Sequence, residues 1–518
     1  MEFLDKLLNH FNLTYEEYLE LSKDINEDDL PKVSNFKNVD IIIKRIFKAI
    51  ENKEKIIVYG DYDCDGIMAT TILVKALQKL NAEVRYYIPS RYQDGYGLNE
   101  NNVQSIKEKG YSLIITVDNG ISALEAILKA KELGIDVIVT DHHEQIRELP
   151  DTPYIMHPII SEYGDVYCCG AYVSFMLTTA LLEYYDSYLL SLASIATISD
   201  MMPLVKYNRN IVRLGLKYIN ENKYLNIIKL LNNQENNVDE NTIGLEIAPK
   251  INAIGRMKED VFSMQRIVRY FLTTNEKDMN ELLEWINSVN NERKELIKSV
   301  SESINYDNNS PAIIVVTEEK EGLIGLLANK IMNDNNKPTI VFTKSSEDMH
   351  ILKGSARSKE GFSIANAFDM CKDLLEVYGG HAQAGGLSIN IDKLNEFIIR
   401  FNEIAKNNPF IEKKDNLIEI NLNDVSKDNY RLYEKLKPFG MGFIKPDFLI
   451  RDIVTSSLKY TSNNEHINTI ISYNSKLLGF NFHKEDISIK NRIDIVGNLE
   501  NSYFRGNETI IFKISEVI

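Results

Sequence analysis

Three short acidic segments carry the residue types in this 518-residue chain that are best suited to chemistry. They are Gly60-Asp61-Tyr62-Asp63-Cys64-Asp65-Gly66, Asp118-Asn119-Gly120 and Asp141-His142-His143-Glu144. Carboxylate oxygens are the preferred ligands of hard divalent cations such as Mg²⁺, and an added imidazole shifts the preference toward Mn²⁺. Because neighbouring carboxylates raise one another's pKa, cations are needed to keep such a group ionised. The three segments together therefore predict a divalent-metal site.

Each segment has a commoner interpretation when it is taken alone. The first could be a calcium-binding loop, although its continuation lacks the bidentate glutamate of an EF-hand. The second is typical of a turn, and the third of an ordinary surface or core triplet. The metal site is favoured because each segment directly follows an apolar run that predicts a strand. Asp200, at the end of the apolar segment Ser194–Ser199, is a further candidate ligand.

The elements around these segments follow an alternating pattern. Short apolar runs predict strands at Ile56–Val58, Val84–Ile88, Leu113–Val117 and Val137–Thr140. Helices are expected at Ile67–Leu77, Ser122–Leu133, Ala171–Tyr185 and Ser187–Ile198. Strands that alternate with helices predict a parallel sheet with helices on both faces. Ligand sites in such sheets lie at the carboxyl ends of the strands, so we expect the acidic segments to meet there.

The remainder of the chain predicts further units. Apolar residues at helical spacing predict a long amphipathic helix from Asn275 to Ile304 that links two domains. A second α/β unit is expected from Ala312 to about Lys406. Short β-like runs in the tail that ends at Ile518 predict a small β-barrel.

The overall composition indicates a soluble globular protein of several domains, with 44% hydrophobic and 26% charged residues. Its formal net charge of −16, from 59 basic and 75 acidic residues, argues on its own against a nucleic-acid partner. A local basic stripe can nevertheless bind DNA on an acidic protein. The four cysteines lack zinc-ligand spacing. With no signal peptide and no membrane-spanning apolar stretch, we expect a cytoplasmic protein.

The acidic segments and Asp200 resemble the four signature motifs of the DHH phosphoesterase superfamily. Flanking sequence resembles its RecJ branch, in the segments Arg91–Leu98, Asn252–Met257, Gly379–Gly386 and Pro438–Gly442. The resemblance extends from about Lys55 to Ile518. One departure is Tyr59, where relatives often place a histidine that binds the first metal. Asp61 is the candidate to replace that histidine.

The resemblance implies a centre with two divalent ions, Mn²⁺ or Mg²⁺. It assigns Asp63 and Asp118 to one ion, and Asp65, Asp118, His142 and Asp200 to the other. A water between the two ions would then attack phosphorus in line with the leaving oxygen. His143 would face the scissile phosphate, and Asp141 would orient a histidine. The predicted catalytic residues are Asp61, Asp63, Asp65, Asp118, Asp141, His142, His143 and Asp200.

The second α/β unit resembles the DHHA1 substrate-binding domain. Glycines let backbone N–H groups approach a phosphate, and an arginine can bind one with two parallel hydrogen bonds. The predicted substrate-binding residues are His143, Arg256, Ser355, Arg357, Gly379, Gly380 and His381. In isolation the Gly-Gly-His run would be a tight loop and Arg256 a solvated side chain. For Arg209, Arg213 and Lys217, which share one helical face, a solvated surface is preferred and DNA contact is the alternative.

The predicted fold class is α/β, with five parts along the chain. These are an N-terminal helical cap on the next domain (1–52), a parallel-sheet DHH catalytic domain (53–235), an interdomain segment with the long connecting helix (236–305), a DHHA1 domain (306–408) and a C-terminal OB-like β-barrel that binds nucleic acid (409–518).

The function implied by the resemblance is a single-stranded-DNA-specific exonuclease of DNA repair and recombination. The 5′-to-3′ polarity comes from the resemblance alone, as do the expected partners, single-strand-binding protein and a RecQ-type helicase. A DHH phosphodiesterase for short oligonucleotides or cyclic dinucleotides is the alternative, although such chains are usually shorter and lack the β tail. A non-catalytic scaffold is a third interpretation, which the intact acidic segments disfavour.

Overall fold

A computed structural model describes residues 2–145, 148–164, 167–234, 237–345, 348–359, 361–408, 417–472, 474–504 and 507–518. The chain forms two compact units. One comprises residues 30–202 and 214–413, and the other comprises residues 1–29, 203–213 and 414–518. The predicted domain limits at residues 235, 236 and 409 lie outside the described residues.

The larger unit begins with the parallel sheet that the sequence predicts. Its strands are β1 (Ile56–Tyr59), β2 (Val84–Tyr87), β3 (Leu113–Val117), β4 (Asp136–Thr140) and β5 (Ile155–Met156), in the order β2-β1-β3-β4-β5. All neighbours run parallel. The central strands are buried along their whole length, as expected when helices cover both faces. β5 was not predicted, because two residues are too few to show a period.

Helices connect and cover this sheet. They are Val39–Glu51, Cys64–Lys79, Glu100–Glu108, Leu124–Glu132, Gly170–Leu182 and Ser187–Ser199. The predicted start of the second helix, at Ile67, is wrong by three residues. Asp63 caps this helix by accepting a hydrogen bond from the backbone N–H of Gly66 at 3.0 Å. The last residues of the acidic segment, Cys64–Gly66, therefore form the first helical turn, and Gly60–Asp63 precede it.

The second sheet of this unit is mixed. Its strands are β6 (Ile313–Val316), β7 (Thr339–Lys344), β8 (Ile351–Arg357), β9 (Leu375–Gly380) and β10 (Ala384–Asn390), in the order β6-β7-β8-β10-β9. Only the β6–β7 pair runs parallel among these described strands. Ser355 and Arg357 are two residues apart on β8 and so share one face of the sheet.

Helices join and flank the two sheets of the larger unit. They are Leu225–Ile228, Glu240–Thr242, the π-helix Ile243–Ile247, Ala248–Met257, Val261–Leu272, Glu276–Ser303, Glu321–Asn335, Ile364–Asp369 and Leu394–Asn407. The 28-residue helix Glu276–Ser303 confirms the predicted long connecting helix to within one residue at each end. A further helix, Lys206–Asn222, spans the sequence limit at residue 213 between the two units.

The smaller unit is built on a six-stranded sheet. Its strands are β11 (Leu417–Glu419), β12 (Asp447–Val454), β13 (Ile467–Ser472), β14 (Ser475–Gly479), β15 (Arg492–Phe504) and β16 (Asn507–Val517), in the order β11-β12-β15-β16-β14-β13. Its helices are Phe3–Phe11, Tyr15–Ser22, Lys427–Glu434 and Lys484–Ile487. The predicted β-rich tail is confirmed, but no strand pairing among the described residues closes the sheet into a barrel.

The N-terminal segment, residues 1–52, was predicted to form a helical cap on the catalytic domain, but the structure divides it between the two units. Phe3, Leu7 and Tyr18 are buried in the core of the smaller unit together with Tyr433 and Phe448. Phe3 and Leu7 share the amphipathic face of the helix Phe3–Phe11, whose period predicts a buried side but not the surface that buries it. Of this segment, only residues 30–52 lie in the same unit as most of the predicted catalytic domain.

Arg209 departs from both predicted roles, since it is neither solvated nor available to DNA. It is 2% exposed, and its guanidinium donates hydrogen bonds to the carbonyl oxygens of Leu436 at 2.7 Å and Pro438 at 3.0 Å. Within the smaller unit it therefore holds the turn that precedes β12. Among the described residues, no helix combines the length and apolar character that spanning a membrane requires.

Candidate active site

The predicted acidic residues meet at the carboxyl ends of β1, β3 and β4. Three groups could each hold an ion, because one ligand atom from every member lies within 4.8 Å of the others. The groups are Asp61-Asp63-Asp118, Asp65-His142-Asp200 and Asp118-His142-His143. Asp118 belongs to two of them, as does His142. The sequence thus predicted correctly which distant segments come together.

His142 points its Nε2 atom at carboxylates from three different elements. That atom lies 3.1 Å from Oδ1 of Asp118, 3.6 Å from Oδ2 of Asp65 and 3.7 Å from Oδ2 of Asp200. Burial lowers the pKa of His142 and so favours its neutral form. A neutral imidazole nitrogen that lies beside three carboxylate oxygens can bind a metal ion together with those carboxylates.

Two positions explain how the chain brings these oxygens so close. Asp65 accepts hydrogen bonds from the backbone N–H groups of Gly170 at 2.6 Å and Ala171 at 2.8 Å, at the start of the helix Gly170–Leu182. A Cβ atom on Gly170 would lie 2.5 Å from Cβ of Asp118, so only glycine fits there. Gly170 therefore lets Asp65 and Asp118 approach each other, and no motif in the sequence indicates this role.

Asn119 is a second residue that the sequence did not single out. It is fully buried, and its Nδ2 donates to the carbonyl oxygens of Val117 at 2.9 Å and Tyr59 at 3.2 Å. These bonds join the end of β3 to the end of β1. They fix the turn in which Asp118 adopts a left-handed conformation, with φ of 61°.

The raised pKa values of the clustered carboxyl groups indicate that their ionised forms need compensating positive charge. Burial, followed by the charge of Asp63, raises the pKa of Asp61 to about 8. Burial, followed by the charge of Asp65, raises the pKa of Asp200 to about 8 and that of Asp118 well above its ordinary value. Buried like charges of this kind are stable only when cations compensate them.

The hydrogen bonding leads to the same conclusion. Buried carboxylate oxygens of Asp61, Asp118 and Asp200 have no hydrogen-bond partner among the described residues. The Nε2 atom of His142 is near the unpaired oxygens of Asp118 and Asp200 but forms no hydrogen bond with either. Unpaired oxygens that converge beside a neutral imidazole match the ligand preferences of Mn²⁺ and Mg²⁺.

Asp141 has a different role from the other acids. Its carboxylate accepts hydrogen bonds from the backbone N–H groups of Ile121 at 2.9 Å and His142 at 2.7 Å, and it lies 2.8 Å from Nδ1 of His143. Burial opposes ionisation, but the bond to His143 prevails and lowers the pKa of Asp141 to about 2. Burial likewise opposes the charge on His143, whose pKa Asp141 nevertheless raises to about 9. Asp141 therefore orients the imidazole of His143 and favours its positively charged form at the edge of the carboxylate cluster.

Tyr59, the departure from the family pattern, does not face the cluster. Its side chain is buried, donates to the carbonyl oxygen of Gly97 at 3.1 Å and accepts from Nδ2 of Asn102 at 2.9 Å. Asp61 is grouped instead with Asp63 and Asp118. This position suits Asp61 to replace the missing histidine.

A cluster of arginines lies beside the acids. Burial, together with the charges of Arg91, Arg293 and Arg357, lowers the pKa of Arg256 to about 10. None of the four arginines forms a salt bridge with a described residue. Arg91 lies over the ring of Tyr62 at 4.6 Å. Guanidinium groups that are crowded in this way without a salt-bridge partner predict an anion such as a phosphate.

A small cavity, here called the arginine cavity, connects the two kinds of charge. It measures about 170 Å³. Its lining includes Arg91 and Arg256 together with Asp63, Asp65 and Asp200. A phosphodiester held by the arginines would therefore lie directly against the carboxylates.

The predicted substrate-binding residues are only partly brought together. Arg357 donates to Oγ of Ser355 at 3.0 Å and belongs to the arginine cluster with Arg256. Gly379 and Gly380 end the edge strand β9, and His381 is exposed. No hydrogen bond or ion pair among the described residues joins these three to the arginines or the carboxylates. Arg293 was not predicted to bind substrate, because its sequence position is that of any charged residue on the polar face of an amphipathic helix.

We expect metal binding to stabilise the protein. Adding MnCl₂ to metal-free protein at about 100 times the dissociation constant should contribute about 2.7 kcal/mol per occupied site. The midpoint of thermal unfolding, measured by differential scanning fluorimetry, should rise by several degrees. Asp118→Asn should remove most of this rise, whereas Asp151→Asn, at an exposed aspartate outside the cluster, should keep it. An equal rise in both variants would contradict the site.

Three family models match the chain in order. They are the DHH family, N-terminal domain (residues 55–199), the DHHA1 domain (308–407) and the RecJ OB domain (418–516). These matches support the predicted α/β architecture. The match to the RecJ OB domain also supports the predicted C-terminal OB-like part, although the described strands of that part form an open sheet.

Curated relatives and a solved structure agree with the family models. A single-stranded-DNA-specific exonuclease RecJ of Bacillus subtilis is 36% identical over 88% of this chain and 60% of the relative. The exonuclease of the same name from Escherichia coli is 30% identical over 71% of this chain and 69% of the relative. The chain thus spans about 60% of the length of the Bacillus relative. The crystal structure of RecJ from Thermus thermophilus in complex with Mn²⁺ has a similar fold, with a TM-score of 0.79 over 100% of this chain and 76% of that one, at 23% identity.

Proposed function

The chain belongs to the RecJ family, and we propose that it is a metal-dependent exonuclease that hydrolyses phosphodiester bonds of single-stranded DNA from an end. The supporting observation is the convergence of unpaired, buried carboxylate oxygens from two strand ends and one helix end beside a cluster of arginines that form no salt bridge with a described residue. The names of the relatives supply the substrate. The 5′-to-3′ polarity, mononucleotide products and a role in DNA repair and recombination belong to the same proposal.

The proposed ligand sets follow the groups described above. Asp61, Asp63 and Asp118 would hold one divalent cation, and Asp118 would be shared with a second site made by Asp65, His142 and Asp200. When bound, the two cations, Mn²⁺ or Mg²⁺, would supply Lewis acidity to the water and to the phosphodiester.

In this proposal, His143 contacts the phosphate and Asp141 positions His143. Because Asp141 keeps His143 protonated near neutral pH, the imidazolium can donate a hydrogen bond to a phosphoryl oxygen. That bond strengthens as negative charge develops on the oxygen in the transition state. Asp141 is therefore a positioning residue for His143 and not a metal ligand.

The arginines hold a neighbouring phosphate of the strand. Arg91, Arg256 and Arg357 are proposed to bind the phosphate of the nucleotide that leaves, with Ser355 placing the guanidinium of Arg357. Two parallel hydrogen bonds from a guanidinium fix both the position and the orientation of a phosphate. The Gly379-Gly380-His381 run is kept as a proposed contact farther along the strand.

The remaining parts of the proposal rest on the family. The C-terminal sheet would bind the single strand as OB domains do, by contact with bases and backbone. The proposed domain limits are those predicted from the sequence, except that residues 1–29 are assigned to the C-terminal unit. Single-strand-binding protein and a RecQ-type helicase are proposed partners, and the proposed compartment is the cytoplasm.

A substrate comparison tests the proposal. The protein is incubated with Mn²⁺ and 5′-labelled single-stranded DNA, a blunt duplex of the same sequence or a cyclic dinucleotide. We expect rapid release of mononucleotides from the single strand, at least about 100-fold faster than from the duplex. Turnover confined to the cyclic dinucleotide would replace the proposal with the small-substrate phosphodiesterase. Parallel 3′-labelled DNA tests the polarity.

A further inference from the structure

The loop between β2 and the helix Glu100–Glu108 contacts two parts of the active site. It comprises residues 88–99 and is here called the loop 88–99. Arg91, near its start, lines the arginine cavity, and the hydroxyl of Tyr96, near its end, lies 3.3 Å from ring nitrogens of His143. The conformation of this one loop therefore determines where a phosphate-binding cation and a neighbour of the catalytic imidazole lie.

Asp94 lies at the centre of the hydrogen bonds that hold the loop 88–99. Its Oδ2 accepts from the backbone N–H of Ser90 at 2.9 Å, and its Oδ1 accepts from Nδ2 of Asn102 at 3.2 Å. The hydroxyl of Tyr87 donates to the same carboxylate, 3.1 Å from each oxygen. These partners belong to the start of the loop, to the helix that follows it and to β2. One carboxylate therefore joins the loop to both of its flanking elements.

The start of the loop is held on two sides. Ser90, which directly precedes Arg91, is joined to Asp94 a second time, because the N–H of Asp94 donates to the carbonyl oxygen of Ser90 at 3.0 Å. Ser90 is fully buried, and its Oγ donates to the carbonyl oxygen of Glu259. The backbone from which Arg91 extends is therefore fixed.

The end of the loop is held through Tyr59. The Nδ2 atom of Asn102 that donates to Asp94 also donates to the hydroxyl of Tyr59 at 2.9 Å. That hydroxyl donates in turn to the carbonyl oxygen of Gly97 at 3.1 Å. Gly97 directly follows Tyr96 and has a φ of 74°, a conformation that glycine adopts without strain. The hydrogen bonds that begin at Asp94 therefore also fix the backbone beside Tyr96.

Each of the three groups that face the Asp94 carboxylate is a donor. The backbone N–H of Ser90 and the amide nitrogen of Asn102 cannot accept a hydrogen bond. Burial, followed by the charge of Asp94, raises the pKa of Tyr87, so its hydroxyl keeps the proton that it donates. An amide of the same size at position 94 would place its NH₂ group against one of these donors. A carboxylate, with two accepting oxygens, is the side chain that fits.

We infer that Asp94 is a positioning residue for the reaction, which sets Arg91 at the arginine cavity and Tyr96 at His143 by holding the loop 88–99. The inference rests on the proposed function, because the roles of Arg91 and His143 come from it. Asp94 neither lines the arginine cavity nor belongs to a group that could hold a metal ion. Any catalytic effect of its replacement must therefore act through the loop.

Asp94→Asn tests this inference. We expect kcat/KM on single-stranded DNA to fall about 30-fold, as when one polar group is left facing a donor. The KM should rise because Arg91 is displaced, whereas a residue that only supported the fold would leave the KM of the folded molecules unchanged. Hydrogen exchange in peptides from the loop, followed by mass spectrometry, should become at least about tenfold faster.

A matched control keeps these effects apart from a general loss of stability. Asp239 also accepts hydrogen bonds from a backbone N–H and from a hydroxyl, both of Thr242, but it lies outside the loop 88–99. Asp239→Asn should keep kcat/KM within about twofold of the wild type, because asparagine is an equally good N-cap. Exchange in the loop should be unchanged in this variant.

A reciprocal exchange of donor and acceptor supplies the second arm. In the protein that carries both Asp94→Asn and Asn102→Asp, the new amide oxygen can accept from Ser90 while the new NH₂ group donates to the carboxylate at position 102. This protein should recover kcat/KM to within about threefold of the wild type, together with slow exchange in the loop. Asn102→Asp alone brings two carboxylates together and should lower kcat/KM about 30-fold or more.

The possible results separate the two proposals. Asp94→Asn protein with kcat/KM within about twofold of the wild type and unchanged exchange in the loop would overturn the positioning role. A reciprocal variant that stays as slow as Asp94→Asn, or that does not fold, would do the same. If Asp94→Asn does not fold, an active reciprocal variant still supports the role. If the wild type does not degrade single-stranded DNA, the exonuclease proposal fails, and exchange in the loop then decides whether Asp94 holds it.

Discussion

Replacing Asp63 by asparagine is expected to lower kcat/KM for single-stranded DNA by at least about 10³-fold. The side chain belongs to the group with Asp61 and Asp118, and the substitution removes a charge that this group offers to a cation. Asparagine is also a good helix N-cap, so the hydrogen bond from the N–H of Gly66 is kept and the first turn of its helix stays intact. The loss should therefore be confined to catalysis.

Binding and stability measurements separate this effect from misfolding. The dissociation constant for single-stranded DNA should stay within about threefold, because removing a negative charge does not weaken the attraction to phosphates. Thermal unfolding of the metal-free variant should occur at the same temperature as in the wild type or higher, since one buried like charge is gone. Asp151→Asn serves as the matched control and should retain full activity. Activity of Asp63→Asn within tenfold of wild type would refute the role of Asp63.

The convergence of the acidic segments was predictable because it follows from topology. Parallel strands end at one edge of their sheet, and Asp61, Asp118 and Asp141 each come one to two residues after a buried strand. A continuous apolar run of four or five residues is a strong local signal. The sequence therefore predicted which side chains meet without any knowledge of how they pack.

The residues that make this meeting possible were not predictable in the same way. Gly170 matters because its missing side chain leaves room for Asp118, and Asn119 matters because its amide joins two strand ends. Both roles depend on neighbours 52 to 60 positions away in the sequence, and nothing local distinguishes these residues from an ordinary helix start and an ordinary turn. Arg293 was hidden for a related reason, because helical period places it on a polar face like any solvated arginine.

The N-terminal helices and the C-terminal sheet show the same limit in the fold. The spacing of Phe3 and Leu7 predicts a buried face, but the surface that covers it lies more than 400 residues away, around Phe448. Closure of the sheet depends on whether the edge strands β11 and β13 pair, and the strand sequences do not contain that information. Local patterns predict elements, whereas the choice of partner between elements is a property of the whole chain.

Net charge was likewise a poor guide, because the distribution of charge matters more than its sum. A chain of net charge −16 would be expected to avoid a polyanion. In the structure, part of the acidic excess is gathered where cations can neutralise it, and four arginines are gathered beside it without a salt bridge to a described residue. A phosphodiester therefore meets a site that is locally positive when metal ions are bound.

Replacing Arg256 by methionine removes part of this local positive charge and should lower kcat/KM on single-stranded DNA about 100-fold. Most of the loss should be an increase in KM, since Arg256 is proposed to hold a phosphate next to the one that reacts. Arg256→Lys should recover only part of the activity, because an ammonium group retains the charge but not the two parallel hydrogen bonds.

Stability provides the contrast that identifies Arg256 as a ligand-binding residue. Its charge is destabilised by burial and by Arg91 and Arg357, so methionine should leave the unfolding temperature of the free protein unchanged or raise it. Arg266→Met is the matched control, because Arg266 lies over the ring of Trp285 at 4.1 Å and its loss should affect stability but not KM. A residue that only supported the fold would lose stability and activity together, and that result for Arg256→Met would contradict the phosphate contact. Retention of stability with loss of affinity would show that the protein maintains an unfavourable cluster of charge for the substrate to neutralise.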